Sequence, residues 1–293
     1  MAIIPDFFLN AVVALGIDHP TVANEKLWIG TGFIVGRKET DDPTLSTHYI
    51  ITNKHVIGSQ RYVYVRFNSL GDSLVKDYRV GLYNADGTPC FSPHPNLDTD
   101  VIAIQILPQT LINDKSIWGA FSLENHALTL EEMQKTGVTE GTLVYALGFP
   151  MGQVDIIKTP ICRLGCISRI SDAFIKRSNF PTYLVDAQAF PGNSGGPIVS
   201  RPESIAISGT VSNDSANLIG ILSQYIPYRE VLYSRQTGLD RMIQEENSGL
   251  TVVHPVDRIK EVVELEWQRA GAHTNPASSN EPTPEDTNEE VTV

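Results

Sequence analysis

Short runs of β-branched and aromatic residues, broken by Gly, Pro, Asn and Asp, recur roughly every ten to twenty positions along the chain, which is the pattern of strands joined by turns. A first set predicts strands at Ala11–Ile17, Trp28–Gly36, Tyr49–Thr52, Tyr62–Phe67, Tyr78–Tyr83 and Val101–Leu107. A second set predicts them at Leu143–Phe149, Ile161–Ile170, Tyr183–Gln188, Pro197–Val199, Ile205–Val211, Leu218–Gln224 and Leu250–Val253. Sheets of roughly six strands often curl into barrels. The expected fold is therefore all-β, with two six-stranded antiparallel β-barrels.

The first barrel is expected over residues 1–115 and the second over 142–254. Between them, 116–141 reads as a connector with one short helix in LTLEEMQKTG. PVDRIKEVVELEWQR spaces Val256, Ile259, Val262, Val263 and Trp267 at helical intervals behind a proline suited to a first turn. It predicts a terminal helix over 255–270 that docks on the barrels. Residues 271–293 carry almost no bulky apolar side chain and no Lys or Arg, the composition of a disordered acidic tail.

With 293 residues and 41% hydrophobic composition, the chain can bury a substantial core. Its formal net charge of -12 argues against a nucleic-acid groove and against binding to an anionic membrane. No stretch approaches the ~20 apolar residues of a membrane span, and MAIIPDFFLNAVVALGI lacks the basic start of a signal peptide. The expectation is a mature, cytoplasmic protein. Cys90, Cys162 and Cys166 cannot all pair, and no second Cys or His cluster completes a zinc site. They read as free thiols, and neither metal nor organic cofactor is expected.

The octapeptide Phe190-Pro191-Gly192-Asn193-Ser194-Gly195-Gly196-Pro197 sets three glycines and two prolines around one hydroxyl. Such a backbone is forced into turns that residues with a Cβ resist, and it presents Ser194 among backbone N–H groups. A serine is a poor nucleophile at neutral pH unless a base takes its proton and a third group orients that base. His55 closes YIITNKHV at a polar turn, and Asp100 opens the apolar strand DVIAIQIL. Asp98 is the rival carboxylate, without a strand directly after it, and His254, at the end of a strand, is a milder candidate base.

Gly192-Asn193-Ser194-Gly195-Gly196 also satisfies the G-x-S-x-G elbow of α/β-hydrolases, for which Asp240 and His254 would supply the order of partners. That fold needs a helix after the serine. GGPIVSRP, with a β-branched run between glycines and prolines, reads as a strand instead.

TNKHV, DVIAIQI and GNSGGP, in that order, resemble the trypsin-like serine peptidases of the chymotrypsin fold. GTGFIV before the histidine, Val56 in place of a disulfide cysteine, and YALGFPMG bring the chain nearest to the Deg/HtrA type, without a PDZ domain. The resemblance implies a catalytic triad of His55, Asp100 and Ser194 and an oxyanion hole from the N–H groups of Gly192 and Ser194, with that of Asn193 nearby. It puts Asn193 where trypsins keep the acid that receives a new N-terminus, so cleavage at the N-terminus is not an expected switch.

The same resemblance puts Gln188 where trypsins bind basic side chains, and Ser223, Gln224 and Tyr225 on the pocket wall, with Ser223 near Asp100. A neutral Gln188 and a bulky Tyr225 imply cleavage after small or medium apolar residues of a protein or peptide substrate. Activity should rise with pH, since only neutral imidazole acts as base. The alternative is a fold of this kind kept as a regulated or inactive peptide-binding or sensing module. Between Ile226 and Ser248 lies a charged insertion beside the pocket, expected to be a lid, a docking surface for a regulatory partner, or a partly helical excursion.

Overall fold

The computed structural model describes residues 4–39, 42, 44–67, 77–155, 159–175, 182–203 and 208–274. Eight strands form the first unit: β1 (Val12–Asp18), β2 (Lys26–Lys38), β3 (Ser46–Thr52), β4 (Tyr62–Arg66), β5 (Asp77–Gly81), β6 (Phe91–Pro93), β7 (Ile102–Ile106) and β8 (Phe121–Ser122). Six form the second: β9 (Leu143–Gly148), β10 (Ile161–Arg169), β11 (Tyr183–Asp186), β12 (Pro197–Ser200), β13 (Leu218–Tyr233) and β14 (Asp240–Pro255).

The second unit is a closed barrel in the order β10-β11-β14-β13-β12-β9. The first is a sheet in the order β5-β4-β1-β2-β3-β7-β6, with β8 added in parallel against β2. It wraps one apolar cluster that includes Val13, Ile34, Ile50, Val63, Leu82 and Ile102, but among the described residues no ladder joins β5 to β6. The expectation of two closed barrels is corrected here to one closed barrel and one open sheet. β6 has only three residues and β8 two, too short to complete a ladder and too short to be read as hydrophobic runs.

Three further differences from the sequence expectations have local causes. The strand expected at Ile205–Val211 falls partly outside the described residues, and 208–211 are turn and irregular chain. The insertion is neither loop nor helix: β13 and β14 each run 16 residues and stay paired from Pro227↔Asn247 to Tyr233↔Asp240. Alternating branched and polar residues (REVLY, RMIQEE) suit a ladder, and the result is a two-stranded arm leaving the barrel. The last helix runs over Val256–Thr274, past the expected end at residue 270, and the remainder of the expected tail, 275–293, lies outside the described residues.

Another apolar cluster joins the units. Phe33, Tyr49 and Ala103 from the sheet meet Leu147, Val199 and Ile221 from the barrel. Val256, Ile259, Val262 and Val263, all buried on one face of the helix, close the seam. The short helix of the connector, Leu130–Lys135, forms because Thr129 and Glu132 cap each other reciprocally.

Candidate active site

Antiparallel pairing of β3 with β7 matches Thr52 to Ile102, so the chain leaving β3 and the chain entering β7 emerge at the same end of the sheet. His55 sits three residues past one strand, in the helical turn Lys54–Ile57, and Asp100 two residues before the other. One carboxylate oxygen of Asp100 accepts the His55 backbone N–H at 3.0 Å, and the other lies 2.5 Å from ring Nδ1. The carboxylate thus fixes backbone and ring together, placing the proton on Nδ1 and leaving Nε2 as the acceptor.

Three more groups hold Asp100. Ser223 donates its hydroxyl to Oδ2 at 3.1 Å, Asn53 Nδ2 donates to the Asp100 carbonyl at 2.6 Å, and the Asp100 N–H reaches His254 Nε2 at 3.4 Å. Burial pushes the Asp100 carboxyl up, but the hydrogen bonds from His55 and Ser223 outweigh it and hold the group below the usual carboxylate range. For His254 burial wins: it lowers the imidazole to about 4, against the opposing pull of the Asp100 charge. A neutral His254 is the form that can accept a backbone N–H.

Ser194 stands before β12 on a loop that only glycine permits. Gly192 has φ 98° and Gly195 φ 86°, and a Cβ on Gly195 would lie 2.0 Å from the Thr31 carbonyl oxygen. Ser194 and His55 line the same cleft, and among the described residues no hydrogen bond joins them. The N–H groups of Gly192 and Ser194 are likewise uncommitted among the described residues. Asn193 is different: its N–H donates to Phe190 O at 2.9 Å, so it leaves the expected set of oxyanion donors.

The cleft holds about 940 Å³, with Ala189, Phe190 and Pro191 on one side and Ser223, Gln224 and Tyr225 on the other. Tyr225 is half-buried in this wall and does not fold away from it. Gln188 is exposed and does not line the cleft; its carbonyl accepts from Arg163 at 2.8 Å. The pocket position given to Gln188 is therefore corrected, because the alternation of that extended segment turns Ala187 and Ala189 inward and Gln188 out. Asp98 sits in a turn at the rim, its N–H bonded to Asn96. The hydrolase-type alternative fails on geometry: β12 follows Ser194, and Asp240 lies at the far end of the arm.

Two residues at the cleft depart from their sequence reading or escape it. His254 reads from sequence as an alternative base, but it supports Asp100. Leu97, 84% exposed at the rim of the cleft, lies in a polar stretch with nothing to mark it. Among the described residues no group of three or more His, Cys, Asp or Glu side chains is placed to hold a metal ion, and no helix is long and apolar enough to cross a membrane.

The family model for the trypsin-like peptidase domain matches residues 30–205. Among solved structures, the chain is similar to the MamO protease domain from Magnetospirillum magneticum, crystallised in its apo form, at 16% identity and a TM-score of 0.45. The alignment covers 87% of this chain and 97% of that one. No curated protein matches the sequence.

Proposed function

Because the chain belongs to the trypsin-like peptidase domain family, we propose that it is a serine endopeptidase working through Ser194, His55 and Asp100. The observation that carries this reading is the doubly held His55, with Nε2 free to accept, on one cleft with Ser194, next to which the N–H groups of Gly192 and Ser194 are uncommitted among the described residues. Ser194 Oγ attacks the peptide carbonyl and gives its proton to His55 Nε2. The Gly192 and Ser194 N–H groups receive the negative charge that forms on the carbonyl oxygen. His55 then protonates the leaving amine, and a water activated by the same imidazole hydrolyses the acyl-enzyme.

The wall residues Ala189, Phe190 and Tyr225 support cleavage after small or medium apolar side chains. Three unpaired cysteines support a reducing, cytoplasmic location. The arm supports a regulatory partner, because its root is tied to the cleft: Asn247 donates to the Ala189 carbonyl at 2.5 Å.

A second reading, a peptide-binding module with an unassembled triad, is favoured by one observation, the missing hydrogen bond between Ser194 and His55. Labelling with a fluorophosphonate probe, read by intact mass, separates the two. The peptidase labels at mildly alkaline pH and Ser194→Ala does not; a wild-type protein that stays unlabelled is a latent enzyme awaiting its partner or a binding module.

A further inference from the structure

Thr31 lies in β2 of the first sheet and is fully buried, yet most of its polar contacts cross to the second barrel. Its N–H donates to Ser194 O at 2.9 Å. Its hydroxyl donates to Gly192 O at 2.6 Å and accepts the Phe149 N–H at 3.0 Å. Its own carbonyl accepts from Thr52 Oγ1 at 2.8 Å, which anchors it to the neighbouring strand.

On the other side of Gly192, Met151 N–H donates to Pro191 O at 2.6 Å. The two peptide planes that meet at Gly192 therefore each have their carbonyl held by a separate donor. A trans peptide is planar, so Met151 at Pro191 O fixes the opposed Gly192 N–H, while Thr31 at Gly192 O fixes the next plane, the one that carries the Asn193 N–H. Glycine at φ 98° has no Cβ to resist rotation between these planes; within the loop the second plane is tied by the Asn193 N–H to Phe190 O, and Thr31 adds a tie from the other half of the molecule.

We propose that Thr31 is a positioning residue of the oxyanion site: from the opposite half of the molecule, its hydroxyl anchors the Gly192 carbonyl and so the glycine that joins the two planes, and the Gly192 N–H, whose own plane Met151 holds, keeps its orientation beside Ser194. Its catalytic consequence rests on the peptidase reading above; its structural content does not. The position needs a buried group that donates and accepts at once. Serine meets that demand, whereas valine or alanine leaves Gly192 O and Phe149 N–H without partners.

The test compares Thr31→Val, Thr31→Ala and Thr31→Ser with the wild type by two readouts. Hydrogen exchange of a peptic peptide covering Phe190–Gly196 reads the clamp without any need for activity. The rate of fluorophosphonate labelling reads its consequence. Loss of the hydroxyl is expected to speed exchange in that peptide at least tenfold while peptides from β10 and β14 stay unchanged. It is also expected to slow labelling by about tenfold to a hundredfold, less than the loss of an oxyanion donor itself, with Thr31→Ser close to wild type in both.

Should one hydroxyl-free variant fail to fold, the other carries the comparison. Exchange in Val and Ala variants equal to wild type, or a Ser variant as perturbed as they are, overturns the proposal. A wild type that does not label, with exchange loosened only in the hydroxyl-free variants, sustains the clamp and removes the reading of a peptidase active without a partner.

Discussion

His254 Nε2 faces the backbone nitrogen of Asp100 at 3.4 Å, 154 residues away in sequence, and the imidazole that makes this contact is 4% exposed. With its folded value lowered to about 4 against an ordinary 6.5, the folded protein refuses a proton that the unfolded chain accepts. The unfolded state therefore binds more protons between these two values, and stability falls as pH drops through that window. Burial of His254 should make the wild type lose about 2–3 kcal/mol more than His254→Gln between pH 7.5 and 4.5, by linkage. Denaturant melts at the two pH values check this, and equal losses in both proteins contradict it.

Asp100 should be the most sensitive member of the site after Ser194 and His55. Asp100→Asn keeps the shape but offers an amide N–H where Nδ1 needs an acceptor, so kcat should fall by about 10⁴. Ser223→Ala removes one of several hydrogen bonds to a carboxylate that remains held by His55, and the expected loss is about tenfold, for a charge-assisted bond worth ~1.5 kcal/mol. Steady-state rates on one peptide substrate give both numbers, and a Ser223→Ala defect as deep as that of Asp100→Asn would disprove this ranking.

Tyr225, on β13, lines the cleft. Tyr225→Gly should widen it and shift the ratio of kcat/KM for phenylalanine over alanine, at the residue preceding the cut, upward by tenfold or more; a hydrophobic pocket gains roughly 1–3 kcal/mol per added contact group. A peptide library profiled with both proteins measures the shift. An unchanged profile means that another wall residue sets the size limit.

The arm exposes Leu232, Tyr233, Met242 and Ile243, each between 47% and 65%, and an isolated two-stranded ribbon is marginally stable in water. Replacing Tyr228–Glu246 with a two-residue Asn-Gly turn, which keeps Pro227 and the Asn247 bond to Ala189, should leave the melting temperature within a few degrees, because the side chains removed contribute little burial. If the arm is a lid, cleavage by the shortened protein accelerates; if it is a docking surface, basal cleavage is unchanged and response to the partner disappears. A large fall in melting temperature would show instead that the arm is part of the folded core.

Most of the strands were legible because their causes are local. β-branched runs, glycine and proline punctuation and the spacing of Val256, Ile259, Val262 and Val263 act over a few residues, and each marks its element wherever the chain later packs. GNSGGP was legible for the same reason, since steric permission at Gly192 and Gly195 belongs to the backbone itself. The alternation that hides Ala187 and Ala189 and exposes Gln188 was also local, but a resemblance to a basic-side-chain pocket had assigned the middle residue inward.

The sequence by itself determined an all-β chain with a presented serine, a histidine and a carboxylate at strand ends, and a closing helix. Only the tertiary structure decided that the first sheet stays open, that the insertion is a ribbon, that Asn193 spends its N–H on Phe190, and that Thr31 and His254 brace the site. Those outcomes depend on contacts between segments as far apart as the 161 residues separating Thr31 from Gly192. A threonine in a strand looks the same whether its hydroxyl meets solvent or another barrel, because the partner that gives it a role is fixed only when the two halves pack together.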